Sequence, residues 1–106
     1  MKEIQDKLRE FNAERDWSQL HSPENLAKSV AIEAGELLEC FQWSPQYKPE
    51  KVEEELADVM MYCLMLADTI GVDPKTIMLA KLKKNAAKYP VEKAKGSSKK
   101  YTELED

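Results

Sequence analysis

At 106 residues the chain is long enough for one compact domain, and it is read as a single domain over residues 1–106. Charged residues at 34% and hydrophobic residues at 42% describe a soluble globular protein, and no apolar run approaches the roughly 20 residues of a membrane span. A net charge of −4 argues against a protein that coats a nucleic-acid polymer.

In chain order, the periodicity predicts four helices and a tail. Helix one is expected over residues 1–15, with Ile4, Leu8 and Phe11 on one apolar face. The loop RDWSQLHSP follows. Ser22 is the N-cap and Pro23 the first residue of helix two, which is expected to run to about Phe41. The connector QWSPQYKP holds two prolines, and Pro49 opens helix three, which runs to Ile70 and stops at Gly71. Asp73-Pro74 repeats the cap-plus-proline start for helix four, which continues to about Lys88 and is ended by Pro90. The remainder, VEKAKGSSKKYTELED, has no periodicity and reads as an irregular or ligand-ordered tail. No strand pattern and no internal repeat is evident. The fold class is therefore all-α, with helices two and three packed antiparallel at the centre of a bundle.

Two of these helices carry a carboxylate pair at i,i+3. Glu33 and Glu36 lie in SVAIEAGELLECF, and Glu55 and Asp58 lie in VEEELADVMMYC. Residues three apart share a helix face. Glu33 falls between Val30 and Leu37, and Glu55 between Val52 and Val59, so the first acid of each pair interrupts an apolar stripe. A surface helix keeps its acids opposite that stripe. Carboxylates drawn inward must be paired, protonated or metal-bound, and four oxygen donors suit a hard cation such as Mg²⁺, with Mn²⁺ a possible substitute. One such pair alone would be an ordinary solvated helix face; two on adjacent helices point to a metal site. Glu39, a further helical step along, fits an outer ligand or a solvated acid equally well, and Glu53 and Glu54 read as surface charge.

Around this centre the remaining chemistry is sparse. Cys40 and Cys63 lack CxxC spacing and read as buried free thiols. His21 is the lone histidine, with no partner set for zinc or a triad. Trp17 and Trp43 flank helix two in polar loops and can sandwich a base only if the fold or a second chain reunites them. Tyr62 lies one turn after Asp58 on the same face, and Lys81, Asn85 and Lys88 make one polar stripe on helix four. Residues 81–100 gather eight lysines, an asymmetry that suits a compact anion rather than a long polyanion. Helix three, with Met60, Met61, Leu64, Met65 and Leu66, is apolar on more than one side, which in so small a chain implies a second subunit. The amino terminus carries no signal-peptide pattern, so a cytoplasmic location is expected.

RDWSQLH, EAGELLECFQW, EELADVMMYCLMLA, KLKKNAAKYP and KGSSKKYTEL, in that order and spanning residues 4–104, resemble the MazG-like all-α nucleoside triphosphate pyrophosphohydrolases, and within them the dCTP pyrophosphatase branch. The resemblance implies a Mg²⁺-dependent hydrolase that cuts a nucleoside triphosphate, such as dCTP or a modified dCTP, between the α- and β-phosphates. It places the family's ExxE and ExxD signature on Glu33, Glu36, Glu55 and Asp58, with Glu36 and Glu55 as the catalytic candidates. It also assigns substrate contacts to Trp17, His21, Trp43 and Tyr62, phosphate contacts to Lys81, Asn85, Lys88 and Tyr89, and a dimeric or tetrameric assembly. Two departures are present: Ile32 takes the first place of the glutamate doublet found in many MazG proteins, and Leu8 stands where animal dCTP enzymes carry a base-binding histidine. The competing reading is a non-catalytic helical module, a nucleotide-binding sensor or a dimerising partner.

Overall fold

A computed structural model describes residues 1–96, for Lys93 and Ala94 the backbone alone. Among the described residues every regular element is helical: α1 (Lys2–Glu14), a 3₁₀ turn (Ser18–Leu20), α2 (Pro23–Glu39), α3 (Pro49–Thr69), α4 (Pro74–Lys88) and α5 (Val91–Ala94). They form two compact units, residues 1–72 and the residues from Asp73 onward.

In the first unit, the helix starts follow from local chemistry. The Ser22 hydroxyl accepts the Asn25 N–H at 3.1 Å with Pro23 behind it, satisfying one of the orphan donors at the start of α2. Asn25 also donates from Nδ2 to the Leu20 carbonyl at 2.9 Å, fastening the preceding 3₁₀ turn to the helix. At the far end of α3, Gly71 takes φ +75°, and the amides of Gly71 and Val72 return to the carbonyls of Asp68 and Ala67 at 3.2 and 3.0 Å. This is the Schellman closure, in which glycine supplies the left-handed residue without a Cβ penalty. The expected α2 end near Phe41 is early by two residues. From Cys40 to Gln42 the amides bond three residues back, to Leu37, Leu38 and Glu39, so the last turn tightens out of α geometry before the connector.

α2 and α3 form the main contact of this unit. Glu33 approaches Asp58 while Glu36, further along α2, lies in one cleft with Lys51, earlier in α3, so the pair runs antiparallel. α1 lies against α3, held where Arg9 meets Asp68. The buried apolar side chains are few: Leu26, Leu64 and Ala67. Asn12 and Glu55 are buried beside them, each 6% exposed.

The turn after α1 sets the aromatic wall. Asp16 adopts φ +54°, a left-handed conformation that aspartate tolerates better than bulkier residues. The Trp17 amide then returns to the Asn12 carbonyl at 2.9 Å, and Gln19 Nε2 donates to both the Asp16 carbonyl and its carboxylate. Trp17 is thereby folded back onto Phe11, edge to face, with ring centroids 5.7 Å apart.

In the second unit, Asp73 caps α4 by accepting the Thr76 amide at 2.9 Å and its hydroxyl at 2.8 Å, and those bonds hold the carboxyl below its ordinary range. Lys81, Asn85 and Lys88 are all exposed on α4, as expected for a polar stripe. The tail begins differently from the expectation. Pro90 caps the short α5, where the Lys95 amide returns to Val91 at 3.0 Å, so the first residues of VEKAKGSS are helical rather than irregular. The rest of the tail, with Lys99 and Lys100, lies outside the described residues. No helix among the described residues is long and apolar enough to cross a membrane.

Candidate functional site

The antiparallel register of α2 and α3 brings the two acid pairs together. Oxygens of Glu33, Glu55 and Asp58 lie within 4.8 Å of one another, close enough to share one cation. Glu55 is buried and Glu33 and Asp58 are half-buried, and for Glu33 and Glu55 this matches their places inside apolar stripes. One oxygen of Glu55 and one of Glu33, both Oε2, are buried with no hydrogen-bond partner. Buried carboxylate oxygens without donors are costly, and a divalent cation satisfies both at once. The donor set, all hard oxygen, fits Mg²⁺ or Mn²⁺ and not a thiophilic metal.

Glu36, the fourth acid, stands outside that three-oxygen group and is exposed. A hydrogen bond shared with Glu33, then the Glu33 charge, and after them a hydrogen bond with Glu55 push its carboxyl from 4.5 up to about 7. Glu55 shifts the other way. Lys51 Nζ lies 2.9 Å from Glu55 Oε1, one helical turn away, and that contact holds the Glu55 carboxyl below its ordinary range. Glu39 lines the same open cleft as Glu36, Cys40, Gln42, Lys51 and Glu55.

On the other side of the acids is a cavity of about 280 Å³ lined by Leu8, Phe11, Asn12, Trp17, His21, Asp58, Met61, Tyr62 and Met65. Three of the expected substrate contacts, Trp17, His21 and Tyr62, meet here. Asp58 belongs both to this cavity and to the acid group, so the aromatic chamber and the carboxylates share a wall. Trp43 does not take part: it is 89% exposed in the connector and absent from the wall. Its neighbours Phe41 and Tyr47 pair with each other instead, ring centroids 5.0 Å apart.

Two residues of the site escaped the sequence reading. Asn12 lines the cavity with its Oδ1 buried and unpartnered. A signal existed, since Asn12 follows Leu8 by four residues and so falls beside the apolar face of helix one, where an amide is out of place. Lys51 was equally visible as the residue four before Glu55.

An acid-lined pair of antiparallel helices beside an aromatic chamber defines an all-α domain whose carboxylates could hold a cation. The chain belongs to the MazG-like family, whose match covers residues 28–104. It is similar to dCTP pyrophosphatase 1 of Bos taurus, 41% identical over 105 aligned residues that cover 90% of this chain and 62% of that protein. The human protein of the same name is 42% identical with the same coverage. The chain thus spans under two thirds of the length of these curated relatives. A crystal structure of a pyrophosphatase from Archaeoglobus fulgidus superposes with a TM-score of 0.80 at 42% identity, covering 85% of this chain and 92% of that one.

Proposed function

We propose that the protein is a cation-dependent nucleoside triphosphate pyrophosphohydrolase acting on dCTP or a modified dCTP. The observation that carries this reading is the continuity, through Asp58, between a base-sized aromatic cavity and buried carboxylate oxygens that have no other partner. The names of the relatives supply the substrate class.

In this reading Glu33, Glu55 and Asp58 hold Mg²⁺. Bound there, the cation neutralises the phosphate chain and makes an adjacent water more acidic. Trp17, Phe11 and Tyr62 wall the base, contacts open to any nucleobase face, while Asn12 and His21 offer polar contacts to its edge. Glu36 is the general base. It remains outside the ligand group, beside Glu55 in the open cleft, where its carboxylate is free to accept a proton. Water adds to the α-phosphorus, its proton passes to a Glu36 oxygen, and pyrophosphate leaves.

Assembly belongs to the same proposal. Leu26, Leu64 and Ala67 make a small core, whereas Ile32, Leu38, Leu56 and Met60 on α2 and α3 are between 45% and 71% exposed. A chain this short gains from covering such side chains with a second copy, so a homodimer or tetramer is proposed. Trp43, exposed and outside the cavity wall of its own chain, is proposed to meet a base across that contact. The free thiols Cys40 and Cys63 accord with a cytoplasmic, reducing location.

Incubation with each deoxynucleoside triphosphate, Mg²⁺ and ¹⁸O-water tests the reaction. The expected products are pyrophosphate and an ¹⁸O-labelled monophosphate, with Glu55→Gln slower by several orders of magnitude. Release of orthophosphate and a diphosphate would refute the assigned bond cleavage, and absence of turnover with any divalent cation would favour the non-catalytic nucleotide-binding module.

A further inference from the structure

The acid group separates two hollows that share no lining residue. The aromatic cavity reaches it at Asp58, and the open cleft reaches it at Glu55. On the reading above, a base seated in the cavity sends its phosphate chain across the acids, so the terminal phosphates come to rest in the cleft. Two of the cleft's other walls, Glu36 and Glu39, are acids that repel a polyphosphate; Lys51 is the one cation among its lining residues.

The position of that lysine is unusual for its helix. Lys51 lies in the first turn of α3, behind Pro49, where the helix dipole disfavours positive charge. Its ammonium lies 2.9 Å from Glu55 Oε1, while Glu55 Oε2 is buried without a partner. The side chain itself is 58% exposed, long and free to swing. A cation that takes Glu55 removes the reason for the Lys51 contact and leaves the ammonium at the rim of the cleft.

We propose that Lys51 exchanges partners when the site loads: it is the counter-ion of Glu55 in the metal-free protein and the clamp on the terminal phosphates, hence on the pyrophosphate product, once the cation is bound. The inference rests on the metal site proposed above and adds a residue to it. Lys51 opposes the cation alone and assists the cation with its anion.

Calorimetry separates the two roles because they carry opposite signs. Titrated with Mn²⁺ alone, Lys51→Met binds the ion about two- to fivefold more tightly than wild type, the size of one half-exposed ion pair and its charge. Titrated with inorganic pyrophosphate at saturating Mg²⁺, the same variant binds about tenfold more weakly, having lost a charge-assisted contact. Lys51→Arg, which keeps the charge, stays near wild type in both. A Lys51→Met variant that binds Mn²⁺ no more tightly, or pyrophosphate no more weakly, overturns the exchange. Failure of wild type itself to bind Mn²⁺ would instead remove the metal site on which it rests.

Discussion

Arg9 grips Asp68 from 59 residues away: its Nε donates to both carboxylate oxygens, at 2.9 and 3.0 Å, and Nη2 adds a third contact. The same guanidinium reaches Asp6 on its own helix at 2.7 Å. A bidentate pair of this kind fixes orientation as well as distance. It pins α1 across α3 beside a hollow of about 110 Å³ that shares Leu8, Asn12, His21 and Met65 with the aromatic cavity. The clamp therefore sets where the cavity-lining face of α1 stands.

Its pH dependence follows. Arg9 lowers the Asp68 carboxyl below its ordinary 3.8, so the folded state binds fewer protons than the unfolded chain in that range. The stabilisation is complete at pH values above 3.8 and is lost as the pH falls through the folded value. Arg9→Met should lower the melting temperature by a few degrees at pH 7 and by much less at pH 3, read by thermal melts. Equal losses at both would show that the guanidinium acts through packing alone.

Glu36 behaves in the opposite sense. Its folded value of about 7 exceeds the ordinary 4.5, so the folded protein holds the extra proton between those limits, and this group's contribution to stability declines as the pH rises through that window. A cation that enters the acids must compete with that proton. Apparent Mn²⁺ affinity should rise with pH up to about 7 and level off above it, with about one proton released per ion at pH 6. Glu36→Gln should flatten the profile. Calorimetry in buffers of different ionisation enthalpy counts the proton directly.

Asn12 should trade stability for discrimination. A buried amide oxygen without a donor costs about 1–3 kcal/mol, so Asn12→Leu is expected to raise the unfolding free energy by about 1 kcal/mol in a urea titration. The same variant should bring kcat/KM for dCTP and dUTP closer together, because an apolar wall rejects neither edge. Neighbouring Trp17→Ala should instead raise KM for all pyrimidine triphosphates alike, since stacking of roughly 1–3 kcal/mol per base ignores the edge. A stabilised Asn12→Leu with an unchanged dCTP to dUTP ratio would exclude Asn12 from base reading.

Assembly is tested through Trp43 and dilution. The melting temperature should rise with protein concentration, and sedimentation should show no stable monomer at low micromolar concentration. Trp43→Ala should raise KM in the assembled protein, which the exposed position within one chain does not explain. A stable, active monomer would sink both expectations.

Helix boundaries were legible because their causes are local. Ser22-Pro23 and Asp73-Pro74 cap the next few residues, and Gly71 supplies its own left-handed φ, so neither needs a partner from elsewhere. The acid group was legible for a related reason: an i,i+3 spacing fixes a face, and interruption of an apolar stripe fixes its direction inward. What depended on the packing of separate segments was not. The grouping of Glu33, Glu55 and Asp58 without Glu36 follows from the register of α2 against α3. Spacing along the chain could not distinguish Trp17, folded back by the Asp16 turn, from Trp43, left in solvent. The first turn of the expected irregular tail became helical because Pro90 is as good a helix start as it is a helix end.

Asp58 is the only residue common to the acid group and the aromatic chamber among those described. On the proposed reading, recognition and turnover share a hinge-pin. Any attempt to retune the substrate range at that carboxylate would alter the cation at the same time, and selection for a new base would be penalised before it could be rewarded. Of the eight other walls, Leu8, Phe11, Asn12, Trp17 and His21 come from α1 and the turn that follows it, and Met61, Tyr62 and Met65 from α3. On that reading most of the room for variation lies in the amino-terminal segment, while the acids of the central helix pair stay as they are.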